Sequence, residues 1–183
     1  MIYLQVDHWL VVWSKALNDG PLPEPITTMI GEHERLLVLL GEISNCIAAQ
    51  GVPDSRKLAE LVSSFLLCMD MHVHKEEDIL FPCVRVALGS DAAEALDIFE
   101  IEHATIGNLL SQFHDLARRL PGKGTCDPED IRQLGELTSQ ACEVMPPHIF
   151  KEDNVLYPLA SQMISQETLR KLATEAKNAS RTE

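Results

Sequence analysis

HVHKEEDILFP (residues 72–82) recurs without a gap as HIFKEDNVLYP (residues 148–158), the two copies sharing His, Lys, Glu, Leu and Pro and differing conservatively at Glu/Asp, Ile/Val and Phe/Tyr. Upstream of each copy stands a Glu-His with a Leu pair at the same offset, in EHERLLVLL (32–40) and EHATIGNLL (102–110). The repeating unit is therefore a pair of helices, the first carrying a lone His and the second carrying His-x-x-x-Glu.

Residues four apart on a helix lie one turn above each other, about 6 Å along the axis, so His72 with Glu76 and His148 with Glu152 each offer an imidazole and a carboxylate from one face. His33 and His103 add an imidazole from each of the other two helices. A bundle whose helices alternate in direction can bring all of these groups to one level of its interior. The constellation is thus His33, His72, Glu76, His103, His148 and Glu152. Imidazole and carboxylate without thiolate suit iron, and also manganese or zinc, and two carboxylates in such a set are placed to bridge two ions. A single His-x-x-x-Glu is common on solvated helices. Its repetition, with Met29, Leu36, Leu37, Met69, Val144 and Met145 one turn from the proposed ligands, argues for burial, which would be costly for these ionisable groups without a metal.

The remaining chain reads as helices. Gly20, Pro21, Pro23 and Pro25 form a break, after which residues 26–50 show apolar spacing of helical period with Thr27 and Thr28 as caps. GVPDS (51–55) reads as a turn, and 56–89 as a long helix that ends or kinks near Pro82. Ser90 and Asp91 open a third helix running to Arg119. Asp127, followed by Pro128 at the first helical position, opens a fourth, which Pro146 and Pro147 interrupt just before His148. Residues 165–178 form a shorter closing helix. No convincing stretch alternates with period two, so the sequence predicts an all-α chain, an up-down four-helix bundle over 24–160 with an N-terminal extension (1–23) and a C-terminal helical extension (161–183).

With 183 residues, 45% hydrophobic and 23% charged, the chain is long and apolar enough to bury a core. Its apolar runs reach five residues (WLVVW, LLVLL, FLLCM), far short of the roughly 18 of a membrane span. The net charge of -13 disfavours nucleic acid and anionic membrane surfaces as partners. Five cysteines without C-x-x-C spacing fit neither a disulfide framework nor a thiolate zinc site, and the N-terminus lacks the pattern of a signal peptide, so a cytoplasmic protein with free thiols is expected.

These residues resemble the hemerythrin-like, or HHE cation-binding, proteins. The resemblance covers residues 26–160 and rests on EH (32–33), HVHKEEDILFP, EH (102–103) and HIFKEDNVLYP as a set. It implies a non-heme di-iron centre in a four-helix bundle, with His33, His72, His103 and His148 as terminal ligands, Glu76 and Glu152 as bridges, and an oxo or hydroxo bridge between two iron ions; manganese and zinc rank lower. The invertebrate oxygen carriers of this family have a second His four residues after the equivalent of His103, where this chain has Gly107. They also place the second bridge at the position of Asp153, whereas Glu152 matches the bacterial spacing. Losing one imidazole leaves coordination positions open, which favours chemistry on a small molecule over reversible oxygen carriage.

The resemblance therefore implies a protein that binds or reduces O2, NO or H2O2, a chemistry of oxidative or nitrosative stress; turnover would make it an oxidoreductase with an electron donor as partner. The alternative is iron handling: iron sensing, or donation of iron for repair of damaged iron centres. Repair members usually carry an N-terminal cysteine-bearing segment, and no Cys precedes Cys46 here. A purely structural metal is disfavoured, because the site lacks closed tetrahedral ligand chemistry. Of the other candidates, His74 should point away from the site, and His114 lies about 16 Å along its helix from His103 and should sit at the core edge. His8 should belong to an amphipathic N-terminal segment, Cys68 should be a small buried apolar side chain, and Phe81 and Tyr157 should pack the bundle. Donation of a hydrogen bond or an electron by Tyr157 is the weaker reading.

Overall fold

The structure, a computed structural model, describes residues 21–49, 54–120 and 125–179. Among them every regular element is helical, so the described chain is all-α, as the sequence predicts. In chain order, α1 spans Glu24–Ala48 and α2 Ser55–Lys75. A π-helical turn over Glu76–Leu80 leads into α3, Phe81–Leu88. Then follow α4 (Ser90–Ala117), α5 (Pro128–Lys151), a second π-helical turn (Glu152–Leu156), α6 (Tyr157–Met163) and α7 (Gln166–Ala179).

The helix starts follow from short polar side chains. Asp54 Oδ1 accepts the N–H groups of Arg56 and Lys57 at 3.1 and 3.2 Å, and Asp127 Oδ1 accepts that of Glu129 at 2.8 Å, ahead of Pro128 at the first helical position. Ser165 Oγ accepts the Thr168 N–H and opens α7. Thr27 and Thr28 do not cap α1. The helix begins at Glu24, and both hydroxyls lie inside its first turns, donating back to the Glu24 carbonyl at 3.0 and 2.9 Å.

One expected break is absent, and the other takes the form of a widened turn. Pro146 and Pro147 lie inside α5, which continues through His148 to Lys151. Both prolines are exposed, as are Cys142 and Glu143 four residues earlier, so the hydrogen bonds that proline removes are lost on the side facing water. Pro82 does not end its helix either. A proline ring collides with the carbonyl four residues before it, and here the backbone widens by one residue: the Phe81 N–H bonds the Glu76 carbonyl, and the Tyr157 N–H bonds the Glu152 carbonyl ahead of Pro158. Both π turns start at a glutamate of the repeated motif.

The chain divides into two compact units. One contains the described residues of Met1–Gly31, Val73–Glu100 and His148–Glu183, and the other comprises Glu32–His72 and Ile101–Pro147. In the first, Ile26, Met29, Leu80, Phe81, Val84, Leu96, Phe99, Leu156, Tyr157 and Ala160 form one apolar cluster, with α3 packed on α6. The second buries Leu36, Leu40, Ile43, Leu58, Val62, Met69 and Met145, and in it the Phe65 and Phe113 rings are tilted with centroids 5.4 Å apart. No helix among the described residues is long and apolar enough to cross a membrane. The expected role of His8 lies outside the described residues.

Candidate metal centre

All six side chains of the repeated motif are buried, and the two carboxylates are wholly inaccessible: Glu76 and Glu152 are each 0% exposed, and no His of the set exceeds 6%. With one donor atom taken from each, His33, His72, Glu76 and Glu152 lie within 4.8 Å of one another, and so do His103, His148 and Glu152. The structure thus brings the six together as two groups with Glu152 in both. Asp153, the other candidate for the second bridge, is only half-buried and belongs to neither group.

The imidazoles are already aimed. His33 Nε2 and His72 Nε2 face each other at 2.7 Å, with ring centroids 4.4 Å apart. His72 Nδ1 lies 3.1 Å from Glu32 Oε2, a part-buried carboxylate on α1. A carboxylate on Nδ1 fixes that nitrogen as the N–H donor and leaves Nε2 with its lone pair, the tautomer a metal requires. His148 Nε2 is 3.0 Å from Glu152 Oε1, one turn along the same helix, with the Phe99 ring edge-on to its imidazole at 6.3 Å.

Glu76 Oε1 accepts a hydrogen bond of 2.6 Å from the hydroxyl of Tyr157, itself completely buried. Burial first, and then the charges of Glu76 and Glu152, hold this phenol well above its usual pKa, so it stays protonated and acts as a donor. The remaining oxygens, Glu76 Oε2 and Glu152 Oε2, are excluded from solvent and make no hydrogen bond. Carboxylate oxygens inaccessible to water and not hydrogen-bonded, set among imidazole nitrogens without thiolate, are the chemistry of an iron, manganese or zinc site. These residues fit a metal.

The residues placed outside the site behave as their helical phase requires. His74 is exposed and pairs with Asp78, while His114 sits at the core edge, 3.2 Å from Asp70. All five cysteines are free, but Cys68 is half-buried rather than buried. Met29, Leu36, Met69 and Met145 are buried, whereas Leu37 and Val144 are partly exposed. Glu32 is a site residue that helical spacing does not reveal; its signal in the sequence is the Glu-His pair in which it precedes His33. Tyr157 both packs the core and donates a hydrogen bond.

Two expected results follow. Glu32→Gln keeps the shape but loses the charge on His72 Nδ1, and should weaken iron binding about tenfold in competition with a chelator, the lower end of what outer partners of a metal-bound His contribute. Unchanged affinity would show that Glu32 does not orient His72. Gly107, one turn after His103, is exposed, and a methyl group there would meet no neighbouring atom. Gly107→Ala should therefore stabilise α4 by about 0.5–1 kcal/mol in chemical denaturation, the ordinary helical preference for alanine; a loss of stability would mean that the backbone there is closely approached.

Comparison with known proteins agrees with this chemistry. The profile of the hemerythrin HHE cation binding domain matches residues 24–160. The iron-sulfur cluster repair proteins YtfE of Yersinia pestis (strain Pestoides F) and Yersinia pseudotuberculosis serotype O:3 (strain YPIII) are each 30% identical over 155 residues, covering 80% of this chain and 69% of the relative.

Proposed function

The chain belongs to the hemerythrin HHE cation-binding family, and on that footing we propose that it holds two iron ions, His33, His72, Glu76 and Glu152 serving one and His103, His148 and Glu152 the other, to bind or reduce a small ligand such as O2, NO or H2O2. The observation that carries this reading is the presence of Glu152 in both donor groups, since a carboxylate shared by two groups is what a bridge between two ions requires. When bound, the iron pair supplies the redox chemistry. The protein's own part is binding and orientation: Glu32 sets the His72 tautomer, the Tyr157 hydroxyl holds Glu76, and buried Met29, Leu36, Met69 and Met145 keep the surroundings apolar.

A second reading, iron donation for repair of damaged iron-sulfur centres, is favoured by the relatives, which are iron-sulfur cluster repair proteins. Loading with iron followed by reduction and exposure to a ferrous chelator separates the two. A ligand-binding centre should retain both ions through the redox cycle and change its optical spectrum with O2 or NO. Rapid loss of iron on reduction would favour donation, and failure to bind iron at all would end both readings.

A further inference from the structure

The two halves of the repeat differ at one buried position next to the donor groups. Tyr157 ends one copy of the motif and Phe81 the other. Both rings are buried in the same apolar cluster, at 0% and 2% exposure. The Tyr157 hydroxyl is bonded to Glu76 Oε1 at 2.6 Å. Phe81 has no hydroxyl to give; its ring packs on Phe99 at 6.4 Å between centroids, and Phe99 in turn packs on the His148 ring at 6.3 Å. One motif therefore receives a buried phenol on its carboxylate, and the other an apolar ring stack leading to its imidazole.

The carboxylates differ in the same sense. Glu76 Oε1 is engaged by a neutral donor that cannot release it to water, whereas Glu152 Oε1 faces His148 Nε2, a nitrogen expected to turn to metal. Glu152 belongs to both donor groups, and Glu76 to the first. A buried hydroxyl bonded to one carboxylate oxygen holds that oxygen back as a donor and fixes the plane in which the other, Oε2, presents its lone pairs.

We propose that Tyr157 is a positioning residue that pins Glu76 through Oε1, making the two carboxylates inequivalent and the two metal positions unequal in affinity, so that metal loads in two distinguishable steps. This rests on the two-metal reading above. In the repeat, the substitution that separates Tyr157 from Phe81 is a single oxygen atom, and that atom adds to an asymmetry already present in the donor groups, of which the first holds four residues and the second three.

The test is an anaerobic titration of the metal-free full chain with Co(II), followed by calorimetry and by the visible ligand-field bands. The wild type should bind two Co(II) in two unequal steps. Tyr157→Phe should shift one step by about tenfold and leave the other step and the helical content unchanged. Two equal steps in the wild type, no change in the variant, or the same change at both steps would overturn the proposal. A second measurement does not depend on how that variant folds. The chain has two tyrosines, Tyr3 and Tyr157, so Tyr3→Phe leaves Tyr157 as the sole source of the tyrosine Raman doublet that reports phenol hydrogen bonding. The doublet should change with one of the two Co(II) steps. A doublet constant through both would overturn the positioning role while leaving the metal centre standing, whereas a wild type that binds no Co(II) removes the centre and with it the proposal.

Discussion

Glu152→Ala should abolish two-metal loading in a single step. Glu152 is the residue common to both donor groups, so its loss removes a ligand from each proposed position, whereas Glu76→Ala removes one from the first group alone. Metal content after iron loading and desalting should fall to near zero for Glu152→Ala and to about one ion for Glu76→Ala, with circular dichroism showing the helices retained. The change in affinity should exceed the roughly 10–100-fold attached to loss of an outer partner, because here the donor itself is gone. His74→Ala is the matched control: it removes an imidazole two residues from His72 that faces solvent, and iron content should not move. Two retained ions in Glu152→Ala would assign the bridge elsewhere, with Asp153 the next residue to replace. A loss in His74→Ala would mean that the helical phase of the motif is wrong.

The legibility of this site in the sequence has a physical basis. A four-residue spacing fixes the common face of His72 with Glu76 and of His148 with Glu152 before any tertiary contact is known, and the gapless repeat supplies the other two helices by analogy. What was not legible depends on approach between helices. Nothing in the spacing of Glu32 says that it meets His72 across 40 residues of sequence, nor that Tyr157 reaches Glu76 across 81. Pro146 and Pro147 depart from expectation for a different reason. The rule that proline breaks a helix weighs the lost hydrogen bond but not where the freed carbonyl lies or whether the backbone can widen. Pro146 and Pro147 sit on an exposed side of α5, and the helix around Pro82 absorbs the ring in a π turn that begins at Glu76 itself. Residue type alone suggests Thr27 and Thr28 as caps, but the helix starts one turn earlier, at Glu24.

Glu76→Met combined with Glu152→Met should make the metal-free protein more stable than metal-free wild type, while eliminating metal binding. Both carboxylates are wholly inaccessible to solvent, and a charge taken from water into such a place carries a desolvation cost that polar neighbours offset only in part. Methionine has nearly the length of glutamate and adapts to irregular packing, so it can fill the same space without a charge. Replacement of buried ionic groups by apolar ones of similar volume is often neutral or stabilising by about 1–4 kcal/mol, and loss of the Tyr157 hydrogen bond subtracts roughly 1 kcal/mol from that gain. Urea denaturation in the presence of a chelator measures the difference directly. Saturating iron should then reverse the order, because an ion that binds only the folded state stabilises it by RT ln(1 + [L]/Kd), about 4 kcal/mol at a thousandfold excess over Kd. A double variant that is less stable without metal would show that the protein alone satisfies the two carboxylates. The gain in the metal-free state and the reversal with iron would together identify Glu76 and Glu152 as groups whose burial the fold tolerates for the sake of the ions between them.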